Sequence, residues 1–110
     1  MSKTRTNQPI YTEDLSSELT FPSPVQKDEV MVKELGDIIF VHLYLKTTTP
    51  IDAGVAIAKL PKPKHAHVQW SNTSAGLYSF QLLTTGNLIC TSANLATNIY
   101  VDISFFYERA

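Results

Sequence analysis

From about residue 28 onward, apolar and polar positions alternate with a period of two, the mark of strands with one covered face. "DEVMVKE" (28–34) sets Val30 and Val32 against charged neighbours, and "DIIFVHLYLK" (37–46) extends the pattern over ten residues. "VAIAKL" (55–60), "HAHVQW" (65–70), "LYSFQLLTT" (77–85), "LICTSANL" (88–95) and "IYVDISFFYER" (99–109) repeat it. The intervening "LGD", "TTTPIDAG", "SNTSAG", "GN" and "ATN" supply the Gly, Pro, Asn and Asp that turns require. Gly86 before Asn87 predicts a tight type II′ hairpin turn with glycine at its first central position. Roughly seven strands at about ten-residue spacing, with no convincing helix, predict an all-β domain over residues 27–110. The pattern suits an antiparallel sandwich or a barrel.

Residues 1–26 break the pattern. Their apolar residues are scattered, at Ile10, Tyr11, Leu15, Leu19, Phe21 and Val25, among Ser, Thr, Asn, Pro and charge. Burying six such side chains at roughly 1.5–3 kcal/mol each does not offset about 1–2 kcal/mol of backbone entropy per ordered residue. The sequence therefore predicts a polar, flexible N-terminal arm unless it docks on a neighbouring subunit. "TEDLSSEL" (12–19) is long enough for a helical turn or two, too short to persist alone.

Two strands are apolar on both sides. In 37–46, Ile39, Val41, Leu43 and Leu45 form one face, and Ile38, Phe40, His42 and Tyr44 the other. In 99–109, Ile99, Val101, Ile103, Phe105 and Tyr107 oppose Tyr100, Asp102, Ser104 and Phe106. A strand of a two-layer sandwich buries one face, so the second asks for another surface. A copy of the same chain, a closed barrel or the arm would each supply it, and the homo-oligomer is favoured.

Composition narrows the chemistry. With 44% apolar residues and a formal charge of −1, the chain has no global pull toward nucleic acid or anionic membrane. No apolar run approaches the ~20 residues of a membrane span, and the start has no apolar leader core, so the reading is a protein made in a cytoplasm without membrane insertion. Cys90 is the lone cysteine and reads as a small buried hydrophobe, which excludes an intrachain disulfide. Phosphate-binding loops, nucleophile elbows and zinc-protease motifs are missing, so the chain reads as a non-enzyme without cofactor. "KLPKPKHAHVQW" (59–70) collects Lys59, Lys62, Lys64, His65 and His67. Three phosphate contacts would give only weak, nonspecific nucleic-acid binding, and alternation places Trp70 with Ala66 and Val68 on the core side. Pro61 and Pro63 instead make "LPKPK" a rigid connector that cannot be an interior strand. Two imidazoles on one chain are too few for a zinc site, so no metal is expected.

In order and spacing, "LGDIIFVHLYLKTTT", "VAIAKLPKPKHAHVQW", "LYSFQLLTTGNLICTS" and "NIYVDISFFYER" resemble the small β-sandwich heads of phage tail fibres and receptor-binding proteins. The resemblance spans about residues 30–108, with Gly36-Asp37, Leu60-Pro61, Gly86-Asn87 and Tyr100 to Tyr107 as matching positions. Pro63 comes earlier than the family's second proline, and no neck or shoulder precedes the head. The resemblance implies a jelly-roll-like single sandwich in the virion tail, homo-oligomeric with a trimer favoured, in contact with other tail proteins. It further implies attachment to host cell-surface polysaccharide or teichoic acid. His42, Tyr44, Tyr100 and Asp102, on the surplus faces, are the candidate saccharide or interface residues. His-x-His rings on the axes of some trimeric fibre tips make His65 and His67 the only metal candidates. A virion decoration protein and a small nucleic-acid-binding barrel are the alternatives.

Overall fold

The computed structural model describes residues 13–110, so the first twelve residues of the expected arm lie outside the described residues. Eight strands follow: β1 (Glu13–Asp14), β2 (Val25–Leu35), β3 (Ile38–Thr47), β4 (Ala56–Lys59), β5 (His67–Thr73), β6 (Gly76–Leu82), β7 (Asn87–Cys90) and β8 (Tyr100–Glu108). The one helical piece among the described residues is a 3₁₀ turn, Ser16–Glu18. All pairings are antiparallel, in the order β1-β2-β3-β8-β5-β6-β7-β4. The fold is therefore all-β, as the alternation predicts, in one curled antiparallel sheet.

β8 lies at the middle of this order. It runs along the whole of β3, from Ile38↔Glu108 to Lys46↔Tyr100. Its pairing with β5 is a single register position, Thr73↔Val101. Farther along, the connector takes over: Lys64 N–H donates to Glu108 C=O (2.8 Å) and Ala110 N–H to Lys62 C=O (3.0 Å). The "LPKPK" stretch is thus a brace on the end of β8. The sheet's outer strands are also brought together, because Thr20 bridges Lys59 of β4 while β1 pairs with β2. This curl is that of a half-barrel.

The core fills the concave side. Ile39, Val41, Leu43 and Leu45 of β3 and Val101, Ile103, Phe105 and Tyr107 of β8 are buried, as the period-two reading assigns them. Phe80, Leu82, Leu88, Cys90, Ile57 and Leu60 close over them from the β4–β7 half. Leu15 and Leu19 join the same cluster. Residues 13–26, grouped with the flexible arm by their composition, are therefore part of the folded body. Leu15 N–H donates to Val32 C=O (2.8 Å), and Arg109 reaches Glu34 (2.8 Å) and Glu18 (3.8 Å) across the segment. Few apolar residues suffice here because the segment docks on a core built by the rest of the chain.

Two local expectations change. The glycine of a two-residue turn with positive φ only at its first central position is Gly36 (φ +60), between Leu35↔Ile38. Gly86 (φ +92) instead ends the turn 83–86, donating its N–H to Leu83 C=O (2.9 Å). It also accepts from Leu60 N–H (2.8 Å) and lies so close to that residue that a Cβ would collide with the Leu60 carbonyl oxygen. The second change concerns β5. His67, Gln69, Ser71 and Thr73 turn inward and Val68 and Trp70 outward, the reverse of the expected alternation. The two-residue link Ser74-Ala75 fixes Thr73↔Gly76 and hence Gln69↔Phe80. Phe80 is fully buried, so its partner must face the same way.

Candidate binding face

The convex side of β2, β3, β8, β5 and β6 carries the positions with unusual chemistry. Cross-strand register places Lys33, Phe40 and Phe106 in one row, Met31, His42 and Ser104 in the next, then Glu29, Tyr44 and Asp102, with Lys46 opposite Tyr100 at the far end. Nine of the ten large hydrophobic side chains exposed among the described residues lie on the outer side of this curled sheet, Val55 being the other.

The four sequence candidates come together here. Tyr44 and Tyr100 stack, with ring centroids 5.6 Å apart and planes 21° apart. Lys46 Nζ lies 5.5 Å from the centroid of the Tyr100 ring, close enough for a cation–π contact. One row over, His42 Nε2 donates to Asp102 Oδ1 at 3.1 Å. Each of these residues sits on β3 or β8, long strands paired with each other along their length, which holds the side chains in place more firmly than a loop would. Asp102 retains a 61% exposed side chain, so its carboxylate can accept further hydrogen bonds. The arrangement offers an aromatic platform, a cation and an oriented carboxylate–imidazole pair, all open to solvent. Such a set binds and orients.

Nearer the Gly36 turn the face changes character. An open groove of about 740 Å³ is lined by Met31, Phe40, His42, Phe105, Phe106 and β5 residues His67 and Gln69, among others. Phe40 and Phe106 pack across the strands with their rings tilted 39° (centroids 6.1 Å). His67 stacks on Phe105 (5.0 Å, 15°) and donates to Gln69 Oε1 (3.2 Å), while Gln69 Nε2 donates to Trp70 C=O (3.1 Å). His67 is thus half-buried and occupied, in contrast to the solvent-facing residue read from the alternation. His65 lies in the bend before β5 and is exposed, so the two imidazoles do not share a strand face. Among the described residues, no three His, Cys, Asp or Glu side chains cluster as metal ligands. Lys64 pairs with Glu108 (3.7 Å), which removes one cation from the basic cluster with Lys59 and Lys62.

Trp70 was hidden from the sequence reading by its companions Ala66 and Val68; it is 57% exposed. Met31, between two valines, was passed over for the same reason. The available signal was the neighbouring strand: once β6 is assigned Phe80 inward, register alone turns Trp70 out. No protein-family model and no curated protein matches this chain.

Proposed function

We propose that this chain is a non-catalytic virion protein of a phage tail, with a receptor-binding-head fold, that attaches to host cell-surface polysaccharide or teichoic acid. In this reading the halves β1-β2-β3-β8 and β5-β6-β7-β4 act as the two layers of a jelly-roll-like sandwich joined at one corner. The convex strip of β3 and β8 is its contact surface. The carrying observation is the exposed Tyr44–Tyr100 stack bounded by Lys46 and the His42–Asp102 pair. Tyrosine rings accept the C–H face of a sugar, the carboxylate and imidazole bond its hydroxyls, and the lysine suits a polyol phosphate.

Purified wall polysaccharide and teichoic acid fragments, titrated calorimetrically against the full chain, test it. Binding is expected to weaken at least tenfold in Tyr44→Ala and Tyr100→Ala, with unchanged melting temperature. Lys46→Gln is expected to weaken only the phosphate-bearing polymer. Failure of both polymers to bind, or equal binding by all variants, overturns the saccharide role. Failure to co-purify with tail particles overturns the tail assignment.

A further inference from the structure

We infer that the seam between β8 and β5 is a docking slot for a short, uncharged, extended segment of a second protein, which pairs as an added strand with the open edge of β8. The inference does not rest on saccharide binding. Along an antiparallel strand the N–H and C=O of one residue point to the same side, and successive residues alternate. Tyr100 C=O accepts from Ser74 N–H (2.9 Å) and Glu108 C=O from Lys64 N–H (2.8 Å). The even-numbered residues of β8 therefore turn their backbone groups toward β5. Ser104 and Phe106 lie between those two bonds. Neither has a backbone partner on that side among the described residues, because β5 pairs with β8 only at Thr73↔Val101. The facing edge of β5 is open as well. The two-residue link after Thr73 makes Thr73 and Gly76 a bonded pair, so His67 and Gln69 turn their backbone groups to β6, and Val68 and Trp70 turn theirs to β8. Gln69 Nε2, a side-chain amide, donates to Trp70 C=O (3.1 Å) where a neighbouring strand would.

The register at its two ends holds the slot open. Thr73↔Val101 closes one end and Pro63↔Arg109 the other. Between these bridges run nine residues on the β5 side (64–72) and seven on β8 (102–108), so the edges cannot zip together without breaking one of them. The groove of about 740 Å³ opens here, with His67 and Gln69 on one wall and Ser104, Phe105 and Phe106 on the other. Open edges are ordinarily blunted by lysine, proline or a very short strand, and Ser104 and Phe106 supply none of these. Strand addition is the recognition that fits. Each of the two residues offers one donor and one acceptor, repeated about 7 Å along the strand. A three-residue antiparallel segment returns all four bonds, a repeat that a sugar ring or a base does not carry. Its first and third side chains lie beside Ser104 and Phe106, near Phe40, which favours branched apolar residues. The middle side chain points inward with Phe105, where His67 already stacks at 5.0 Å, so it must be small. At the slot's end Lys64 and Glu108 pair with each other (3.7 Å), which leaves little field to attract a charged segment.

The test is an NMR titration of the full chain with two blocked tripeptides, valine-alanine-valine and valine-glycine-valine, each acetylated and amidated. Saturable shifts centred on the amides of Ser104 and Phe106 are expected, with a Kd below about 1 mM. Matching depsipeptides, in which ester oxygens replace both valine N–H groups, keep the side chains and lose the donors. They are expected to bind at least tenfold more weakly. Amide exchange in the free chain supplies a second measurement that needs no ligand. Ser104 and Phe106 are expected to exchange on the order of a hundredfold faster than Ile103 and Phe105, whose N–H groups face β3. Slow exchange at Ser104 and Phe106 overturns the inference. So does equal binding by the depsipeptides, absence of binding at about 5 mM peptide, or shifts confined to residues outside the slot. None of these readouts depends on a wall polymer, so the slot and the saccharide role can each fail alone.

Discussion

Gly86 carries two requirements at one atom's distance. Its positive φ is a conformation that costs other residues about 1–3 kcal/mol, and a Cβ would press on the Leu60 carbonyl oxygen. Gly86→Ala is therefore expected to destabilise by roughly 2–4 kcal/mol, read by urea unfolding. Gly36, with nothing within 4 Å of its Cβ position, should cost less on the same substitution. Tyr107 makes a different case. Its hydroxyl donates to Pro61 C=O (2.8 Å), and burial pushes its pKa far above the usual phenol value. The folded state keeps a proton that the unfolded chain releases near pH 10, so this contribution is intact below about pH 10 and is lost progressively above it. Tyr107→Phe is expected to cost about 1 kcal/mol near neutrality. The gap between the two proteins should narrow as denaturant curves are repeated above pH 10.

At the scale of elements, the segment 13–20 shows how a short stretch with two leucines is held. Asp14 accepts from Ser16 N–H (2.9 Å) to start the 3₁₀ turn, and Leu15, 1% exposed, enters the core. Leu15→Ala is expected to lower stability by about 2–4 kcal/mol, which a mobile arm would not do; thermal unfolding distinguishes the two. The sequence reading missed this because composition was summed over 26 residues, whereas burial is decided by where the segment lands. The facing of β3 and β8 was legible, since strict alternation runs along both and the two strands pair with each other over nearly their full length. β5 was not. Its apolar side, Val68 and Trp70, faces outward, while His67, Gln69 and Ser71 are taken inward by their pairing with β6. Binary patterning identifies an apolar side, and the pairing with a neighbouring strand decides which way that side turns. The candidate residues His42, Tyr44, Tyr100 and Asp102 could be read as a set because two strands displayed the same surplus. Their contacts depended on the β3–β8 register, which a single strand does not encode.

For the molecule as a whole, the sheet is organised about β8. That strand has β3 on one side, and Thr73 and the 62–64 connector on the other. A chain stopped before Tyr100 would retain β1-β2-β3 and β5-β6-β7-β4 with no strand between them, linked on the far side by the Thr20–Lys59 bridge. It is expected to show no cooperative melt and no near-ultraviolet dichroism, while the intact chain shows both. In native-state hydrogen exchange, the amides through which β3 and β8 bond each other are expected to be among the slowest, since opening them separates the halves. The position of β8 also has a consequence in time. At about 5–20 residues per second, the ribosome makes both flanking pieces seconds before the strand that joins them. Each waits with an unpaired edge and uncovered core side chains, open to chaperones or to wrong partners on nearby nascent chains. Expression yield should therefore respond to translation speed over the codons for residues 91–108 more than over those for residues 25–47.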